Sequence, residues 1–308
     1  MIRLVAKRAG IAVVTLWLLV SAVFCLVRFT GDPSTMMEGA SDPQYAAALR
    51  QRWGLDRPYV VQYGLYLRNL AEGDFGSSFQ KGLPVTTLYF QSLPTSLVLG
   101  FSAFLISLAV GVPLGIVSAL KVNTAWDRVG TAFALTGLSI PNFVVGLVLI
   151  ILFGVELNWL PVMGAGDGPF DWRHLVLPAF ALGWYFSGNM VRVTRSSMLD
   201  VLRSDYVRLV RIKGVPEWVV LVKHALVNAL IPIVTLAGLN LIIMVNVAVP
   251  IEVVFGRPGI GTLLFDGMMN RDFPLVQGVV LMIAIMVLIL NLLTDFLYAW
   301  LDPRIRVG

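Results

Sequence analysis

The sequence predicts an all-α membrane protein that crosses the bilayer six times. Hydrophobic residues make up 57% of the 308 positions, charged residues only 13%, and the mean hydropathy is +0.82. This composition is too apolar for a soluble domain of that length. A transmembrane helix needs about 20 apolar residues, and the chain has several unbroken runs of that kind. A membrane β-barrel would instead show short segments of alternating polar and apolar residues, and these runs do not alternate.

Six apolar runs are the predicted spans. They cover residues 10–28, 95–120, 131–155, 175–191, 228–250 and 278–300. The fourth run is short and contains Pro178, so we expect a kink in that helix. The second contains Gly111 and Gly115, a spacing that lets another helix approach closely.

These spans divide the chain into three parts. Residues 1–29 form the N-terminal tail and first span, residues 30–94 an insertion rich in glycine, proline and charge, and residues 95–308 a core with five spans. Short helices are predicted in the insertion from Pro43 to Trp53 and from Tyr59 to Leu70. The N-terminal apolar run is too long for a cleaved signal peptide, and no small-residue cleavage site stands out.

Most lysines and arginines fall on one side of this topology. They lie in the N-terminal tail, the second-to-third loop, the fourth-to-fifth loop and the C-terminal tail. The positive-inside rule places these segments and both termini in the cytoplasm and the 30–94 insertion outside. The same asymmetry accounts for the net charge of +5, so we expect no nucleic-acid partner.

The fourth-to-fifth loop, Arg192–Pro232, is the most distinctive part of the chain and is called the elbow segment below. Within it, apolar residues recur at helical spacing and predict one apolar face, with arginines elsewhere on the helix. The residues of that predicted face are Leu202, Tyr206, Leu209 and Val210.

A glycine then interrupts the predicted helix. Gly214 permits the backbone geometry that ends a helix, and Pro216 and Glu217 suit the start of the next. The predicted shape is a helix, a glycine elbow and a second helix. Such an element suits a groove on a partner protein or attraction to anionic lipid headgroups.

Motifs along nearly the whole chain resemble one family of membrane proteins. The stretch from Asp205 to Pro232, DYVRLVRIKGVPEWVVLVKHALVNALIP, is similar to the coupling segment of the inner-membrane permeases of bacterial ATP-binding-cassette importers for peptides. The other motifs that carry the resemblance are VRFTGDPS, WGLDRPYVVQY, GDFGSSFQKGLPV, SIPNFVVGL, VVFGRPGIGTLLFDGMMNRDFPLVQG and NLLTDFLYAWLDPRIR. In this order they resemble the first, B-type permease of dipeptide and oligopeptide importers.

The resemblance implies a multi-pass protein of the bacterial inner membrane that works with several partners. These would be a second homologous permease, two ATP-binding-cassette ATPases, an external binding protein and the lipid bilayer. The chain has no phosphate-cradling GxxxxGK[ST] motif. We therefore expect no catalytic residue and no bound cofactor here, with ATP and Mg²⁺ held by the ATPases and alternating access at the interface between the permeases.

In such permeases the elbow inserts into a groove on the ATPase. By that resemblance, the contact residues here are Arg208, Arg211, Lys213, Gly214, Pro216 and Glu217. The broad importer signature places an acid and two alanines six to four positions before the glycine. Arg208, Leu209 and Val210 stand there in this chain, which matches the looser form found in peptide permeases.

A glycine-rich segment, Phe255–Gly261, precedes the sixth predicted span. Its proline and three glycines predict a tight, non-helical excursion, either an external gate or scoop or a simple connecting turn. The candidate gate residues are Phe255, Gly256, Arg257, Pro258, Gly259 and Gly261. Arg257, Arg271 and Asp272 are interpreted as contacts for a peptide or the binding protein, or as solvated loop charges.

Polar residues inside the spans are costly in lipid and are therefore candidates for the transport pathway. They are Asn240, Asn246, Asn291 and Asp295, and contacts between helices or local snorkelling are the alternatives. No metal site is predicted, because His174 and His224 fall on opposite sides of the membrane. Cys25, the single cysteine, is predicted to be a packing residue in the first span.

Two other classes of membrane protein fit the sequence less well. An intramembrane enzyme needs a nucleophile and a base at one depth, and the sequence shows no such pair. A stand-alone secondary transporter predicts intramembrane charges or inverted repeats, whereas this chain concentrates its charge in the elbow segment. Within the importer class, haem, nickel chelates and glutathione are alternative cargoes to peptides.

Overall fold

The computed structural model describes residues 2–29 and 56–301. The described residues form α-helices and two π-helical stretches, with one isolated β-bridge between Ser77 and Pro84. The predicted helix from Pro43 to Trp53 lies outside the described residues. The predicted helix from Tyr59 to Leu70 is confirmed, since a helix runs from Tyr59 to Ala71.

Twelve α-helices are numbered here in chain order within the described ranges. They are α1 (Ile2–Phe29), α2 (Tyr59–Ala71), α3 (Val85–Leu120), α4 (Ala125–Ser139), α5 (Asn142–Leu149), α6 (Trp172–Leu202), α7 (Asp205–Ile212), α8 (Glu217–Val219), α9 (Val227–Val247), α10 (Val249–Val254), α11 (Ile260–Met269) and α12 (Phe273–Leu301). The π-helical stretches are Ile150–Glu156, which continues α5, and Val220–Leu226, which joins α8 to α9.

Three helical stretches in the described part are long and apolar enough to cross a membrane. They are Val85–Leu120, Glu217–Leu241 and Phe273–Leu292, and α4 with the α5 stretch counts as a fourth if that bent pair is one span. The first predicted span falls on a shorter apolar stretch, Gly10–Leu26. The fourth falls on α6, whose small and polar residues dilute its apolar content. The total of six spans therefore stays a prediction.

The third predicted span is sharply bent. Its two halves, α4 and α5 with the following π-helix, meet at 104°. Pro141 lies at the break, directly before the first residue of α5. The preceding helix ends there because proline has no N–H with which to continue it. Pro178, by contrast, lies inside the unbroken α6.

The chain forms two compact units. The first contains residues 1–92 and 263–308, and in its described part α1 packs against α12. Aromatic rings join α1 to α2, since the Phe24 centroid lies 5.2 Å from that of Tyr63 and 5.7 Å from that of Tyr66. Ser21 and Tyr63 share a hydrogen bond of 2.6 Å between their hydroxyls.

The second unit contains residues 93–262, with α6 at its centre. Helices α4, α5 and α9 all pack against α6. One cluster of buried side chains includes Leu182, Phe186, Ile251 and Phe255. Another joins the second half of α6 to α9.

Candidate functional site

The elbow segment has the predicted helix, glycine and helix shape. Helix α7 begins after Ser204, whose hydroxyl accepts a hydrogen bond from the Val207 N–H, as an N-cap serine does. It ends at Ile212, and Gly214 follows with φ of +75°, a left-handed conformation that favours glycine. Pro216 then stands directly before α8.

The residues of the predicted apolar face differ in burial. Val207 and Val210 are buried against Val220, whereas Tyr206 and Leu209 are about half exposed. The prediction treated Leu202 as part of the same helix, but α6 ends at Leu202 and α7 starts afresh at Asp205. That break changes which positions share a face.

The exposed surface of the elbow is both apolar and basic. Ile212 is 76% exposed, Trp218 70% and Leu209 53%, so three large apolar side chains lie on one short segment outside the long apolar helices. Arg208 and Lys213 are exposed beside them. Ile212 and Trp218 were not singled out from the sequence, although their place on either side of Gly214 was the available signal.

Arg211 and Glu217 pair with each other across the elbow. The Arg211 guanidinium donates to both oxygens of Glu217, at 2.7 Å and 3.2 Å. This hydrogen bond raises the pKa of Arg211 because it favours the charged guanidinium. A second contact ties α7 to the following π-helix, since the Tyr206 hydroxyl lies 2.6 Å from His224 Nδ1.

The glycine-rich segment contains a shorter excursion than predicted. Residues 255–259 are non-helical, but Gly261 already lies in α11. A Cβ at Gly261 would lie 2.6 Å from the Val249 Cα, and one at Gly259 would clash with the Glu252 carboxyl. Both glycines are therefore required by close packing, whatever else the segment does.

Arg257 is not a solvated loop charge. It is fully buried, and its guanidinium donates to the backbone carbonyls of His174 at 3.0 Å and Pro169 at 3.2 Å. The Gly164 N–H donates to the Phe255 carbonyl at 2.8 Å in the same region. The glycine-rich segment is thus clasped to the loop that precedes α6.

The clasped loop is also held from within. Desolvation raises the pKa of Asp171, but hydrogen bonds from the Arg173 N–H and from His174 outweigh it and lower that pKa overall. His174 Nδ1 lies 2.9 Å from Asp171 Oδ2. Gly166, with φ of +58°, leaves the space that this pair occupies.

Asp272 is likewise buried, while Arg271 beside it is exposed. The Asp272 carboxylate accepts hydrogen bonds from the Ser78 hydroxyl at 2.5 Å and from the N–H groups of Phe79 and Gln80. It also accepts from the Leu275 N–H in the first turn of α12. Asp272 therefore fixes the end of the insertion to the start of the last helix.

A partly buried ion pair in the second unit was not predicted. Arg195 donates to Asp127 through Nε at 2.7 Å and through Nη2 at 3.0 Å. The Ser118 hydroxyl and the Asn123 N–H donate to the same carboxylate, at 2.5 Å and 2.9 Å. Asp127 is the only acid between Lys121 and Gly130, which was the available signal. An acid in the first turn of a helix is, however, usually assigned to the helix dipole.

Two of the four pathway candidates, Asn240 and Asn291, have side chains in the described part. Asn240 is buried in the second unit, and its Nδ2 has no hydrogen-bond partner there. Asn291 is exposed on α12. The side chains of Asn246 and Asp295 lie outside the described part. Cys25 is exposed on α1 within that part, which corrects its predicted packing role.

These features define a helical membrane protein with long apolar helices and an exposed basic elbow between α6 and α9. The chain belongs to the family of binding-protein-dependent transport system inner membrane components, whose pattern matches residues 111–307. The pattern for the N-terminal part of such membrane components matches residues 1–100.

Curated relatives are similar over nearly the full chain. The glutathione transport system permease protein GsiC of Salmonella typhimurium is 38% identical, with 99% of each chain covered. The oligopeptide transport system permease protein OppB of the same organism is 37% identical, covering 99% of this chain and all of its own. The dipeptide transport system permease protein DppB of Alkalihalophilus pseudofirmus is 39% identical, with 90% of each chain covered.

Solved structures share the fold at low identity. The MetNI methionine transporter in an inward-facing conformation gives a TM-score of 0.60 at 17% identity, over 70% of this chain and 97% of that one. An amino acid transporter gives 0.55 at 16% identity, over 69% and 93%. The chain is therefore a multi-pass permease subunit of an ATP-binding-cassette importer, and it works with other components of that transporter.

Proposed function

We propose that this permease imports peptides of the dipeptide and oligopeptide class, delivered by an external binding protein. A second permease would complete the pathway, and two ATPase subunits holding ATP and Mg²⁺ would drive it. Relatives named for oligopeptide and dipeptide transport, at 37% and 39% identity, support the cargo class. The proposed coupling to an ATPase rests on one observation, which is that the elbow at Gly214 is exposed.

The elbow surface combines the two properties that a docking helix needs. Leu209, Ile212 and Trp218 offer apolar area that is exposed in the lone chain, and well-packed apolar anchors dominate the energy of most interfaces. Arg208 and Lys213 add charge that can steer an acidic partner. Gly214 and Pro216 supply the bend, while Arg211 and Glu217 hold its two sides together.

Replacing the apolar anchor tests this contact. In the complex with its ATPases, Ile212→Ser removes an anchor without disturbing the buried Val207 and Val210. We expect the amount of co-purified ATPase to fall at least about tenfold, as for a strong interface residue. Val60→Ser, at an 83% exposed position of α2, is the matched control. Equal ATPase recovery from both variants would contradict docking through the elbow.

The cargo is tested by direct uptake. In proteoliposomes with the complete importer and its binding protein, uptake of tritiated trialanine and uptake of tritiated glutathione are measured separately. Uptake of trialanine alone supports the peptide class. Uptake of glutathione alone supports the second candidate, which the GsiC relatives at 38% identity favour.

We also propose that the glycine-rich segment lies at the external entrance and acts as the gate. The residues that shape it are Phe255, Gly256, Pro258, Gly259 and Gly261. Arg257 ties the segment to the loop before α6, since its guanidinium donates to two backbone carbonyls of that region. Asn240, Asn246, Asn291 and Asp295 remain our candidates for the pathway further in.

The proposed orientation places both termini in the cytoplasm of a bacterium. It follows from the basic elbow and from the lysines and arginines of the tails. In a Cys25→Ser background, single cysteines at Ser204 and at Ser77 should react with a membrane-impermeant maleimide from opposite sides. Labelling of both from the outside of intact cells would contradict this orientation.

A further inference from the structure

Helices α3 and α4 approach α6 closely at glycine positions, where a side chain would not fit. A Cβ at Gly115 would lie 2.6 Å from the Thr194 Cβ, and one at Gly137 would lie 3.2 Å from the Gly188 Cα. Such close contact restricts separation of the helices. Apolar contacts of this kind have little directionality, however, so packed helices still slide past each other in many conformational changes.

The Arg195–Asp127 pair joins the same three helices at one end. Ser118 comes from α3, Asp127 from α4 and Arg195 from α6, and all three meet at one carboxylate. A bidentate guanidinium–carboxylate pair fixes angle as well as distance. It therefore opposes the sliding that the glycine contacts alone would allow.

This end of the bundle is the one next to the elbow. Arg195 lies about two turns before α6 ends at Leu202. Only Arg203 and Ser204 separate that end from α7, the first helix of the elbow. A displacement of α7 thus reaches Arg195 through one continuous helix.

We propose that the Arg195–Asp127 pair makes α3 and α4 follow α6 when the elbow moves, so that one ion pair links ATPase motion to three helices. The inference rests on the proposed coupling at the elbow. Arg195 is a positioning residue in this scheme: it touches neither cargo nor nucleotide, and the Asp127 side chain is only 8% exposed. Loss of either partner leaves a charge without its counter-ion in a mostly buried site, which ordinarily disrupts local structure.

The experiment is a double-mutant cycle in the complete importer. Arg195→Gln, Asp127→Asn and the double variant are reconstituted with the second permease, ATPases and binding protein. The quantity measured is the ratio of tritiated trialanine taken up to ATP hydrolysed. A parallel experiment measures the same ratio with tritiated glutathione. We expect each single variant to lower this ratio at least about fivefold, the lower end of ordinary coupling between sites. The double variant should be no worse than either single one.

Two further variants sharpen the result. Arg195→Lys keeps the charge but not the two-pronged geometry, so its ratio should lie between those of wild type and Arg195→Gln. Arg128→Gln removes an exposed arginine beside Asp127 and should leave the ratio unchanged. Uptake and hydrolysis that fall in parallel, or single effects that multiply in the double variant, would overturn the inference.

A second measurement does not depend on transport. The Asn123 N–H donates to Asp127, so deuterium exchange over residues 121–127 should rise in Arg195→Gln and not in Arg128→Gln. Unchanged exchange in Arg195→Gln overturns the inference whatever the uptake shows. If wild type takes up neither probe while exchange responds as expected, the proposed cargo class fails and the helix link stands.

Discussion

Arg211 and Glu217 lie on opposite sides of the Gly214 turn, with Arg211 Nη2 2.7 Å from Glu217 Oε1. Their side chains are 42% and 56% exposed, so solvent screens the pair, and we expect it to contribute less than about 1 kcal/mol to stability. Arg211→Gln should therefore hardly change the thermal unfolding midpoint of the purified complex. Its effect on ATPase recovery should also be smaller than that of Ile212→Ser. A larger loss of ATPase recovery with Arg211→Gln than with Ile212→Ser would indicate that Arg211 contacts the ATPase directly.

Gly214→Ala tests the bend itself. The space around Gly214 is open, so an added methyl group meets nothing within 4 Å. The cost comes from the φ of +75° and amounts to about 1 kcal/mol for a non-glycine residue. We expect ATPase-driven uptake to fall severalfold as the elbow adopts other shapes.

Gly82→Ala is the matched control for that substitution. Gly82 has φ of +65° and equally open surroundings, but lies in the insertion. It should incur similar backbone strain while leaving uptake near the wild-type rate. Equal losses from the two variants would mean that general destabilisation, and not the elbow, explains the effect.

Arg257→Met tests the clasp. It leaves the carbonyls of His174 and Pro169 without their donor, and an unsatisfied buried polar group costs about 1–3 kcal/mol. The unfolding midpoint of Arg257→Met should therefore fall, and the midpoint of Arg257→Lys should fall by less. Arg271→Gln, at an exposed neighbouring position, should melt like wild type. An unchanged midpoint for Arg257→Met would show that these hydrogen bonds contribute nothing to stability.

Asp272→Ala tests the anchor of the insertion. The substitution removes the acceptor for the Ser78 hydroxyl and for three backbone N–H groups. We expect limited proteolysis to cut residues 76–84 much faster than in wild type. Asp74→Ala is the control, since Asp74 is exposed and accepts from the Gly76 N–H within the same turn. Equal cutting of the two variants would argue against an anchoring role for Asp272.

Local signals in the sequence predicted what depends on neighbours in the chain. The helix at Tyr59, the break at Gly214 and the long apolar helices all follow from periodicity and from helix-ending residues. The burial of Val207 in α7 was not predicted, because the apolar pattern was followed through the break at Ser204. Glycine spacing at Gly111 and Gly115 indicated close packing, which the contacts with Met190 and Thr194 confirm.

Long-range pairing was beyond the sequence. Arg257 bonds to carbonyls 83 and 88 residues away, and Asp272 bonds to Ser78 194 residues away. Arg195 and Asp127 are 68 residues apart. Each of these charges sits among loop-like or amphipathic neighbours, where exposure is the ordinary outcome. Only the fold brings in the partners that make their burial favourable.

The bend between α4 and α5 restricts what can surround this part of the chain. In a straight helix the Gly137 carbonyl would accept from the N–H of residue 141, which is a proline and has none. Acyl chains cannot solvate a polar backbone group. Gly137 is buried, and the Gly188 backbone of α6 lies directly beside it. The close contact between α4 and α6 therefore puts protein, and not lipid, around the carbonyl that Pro141 cannot pair.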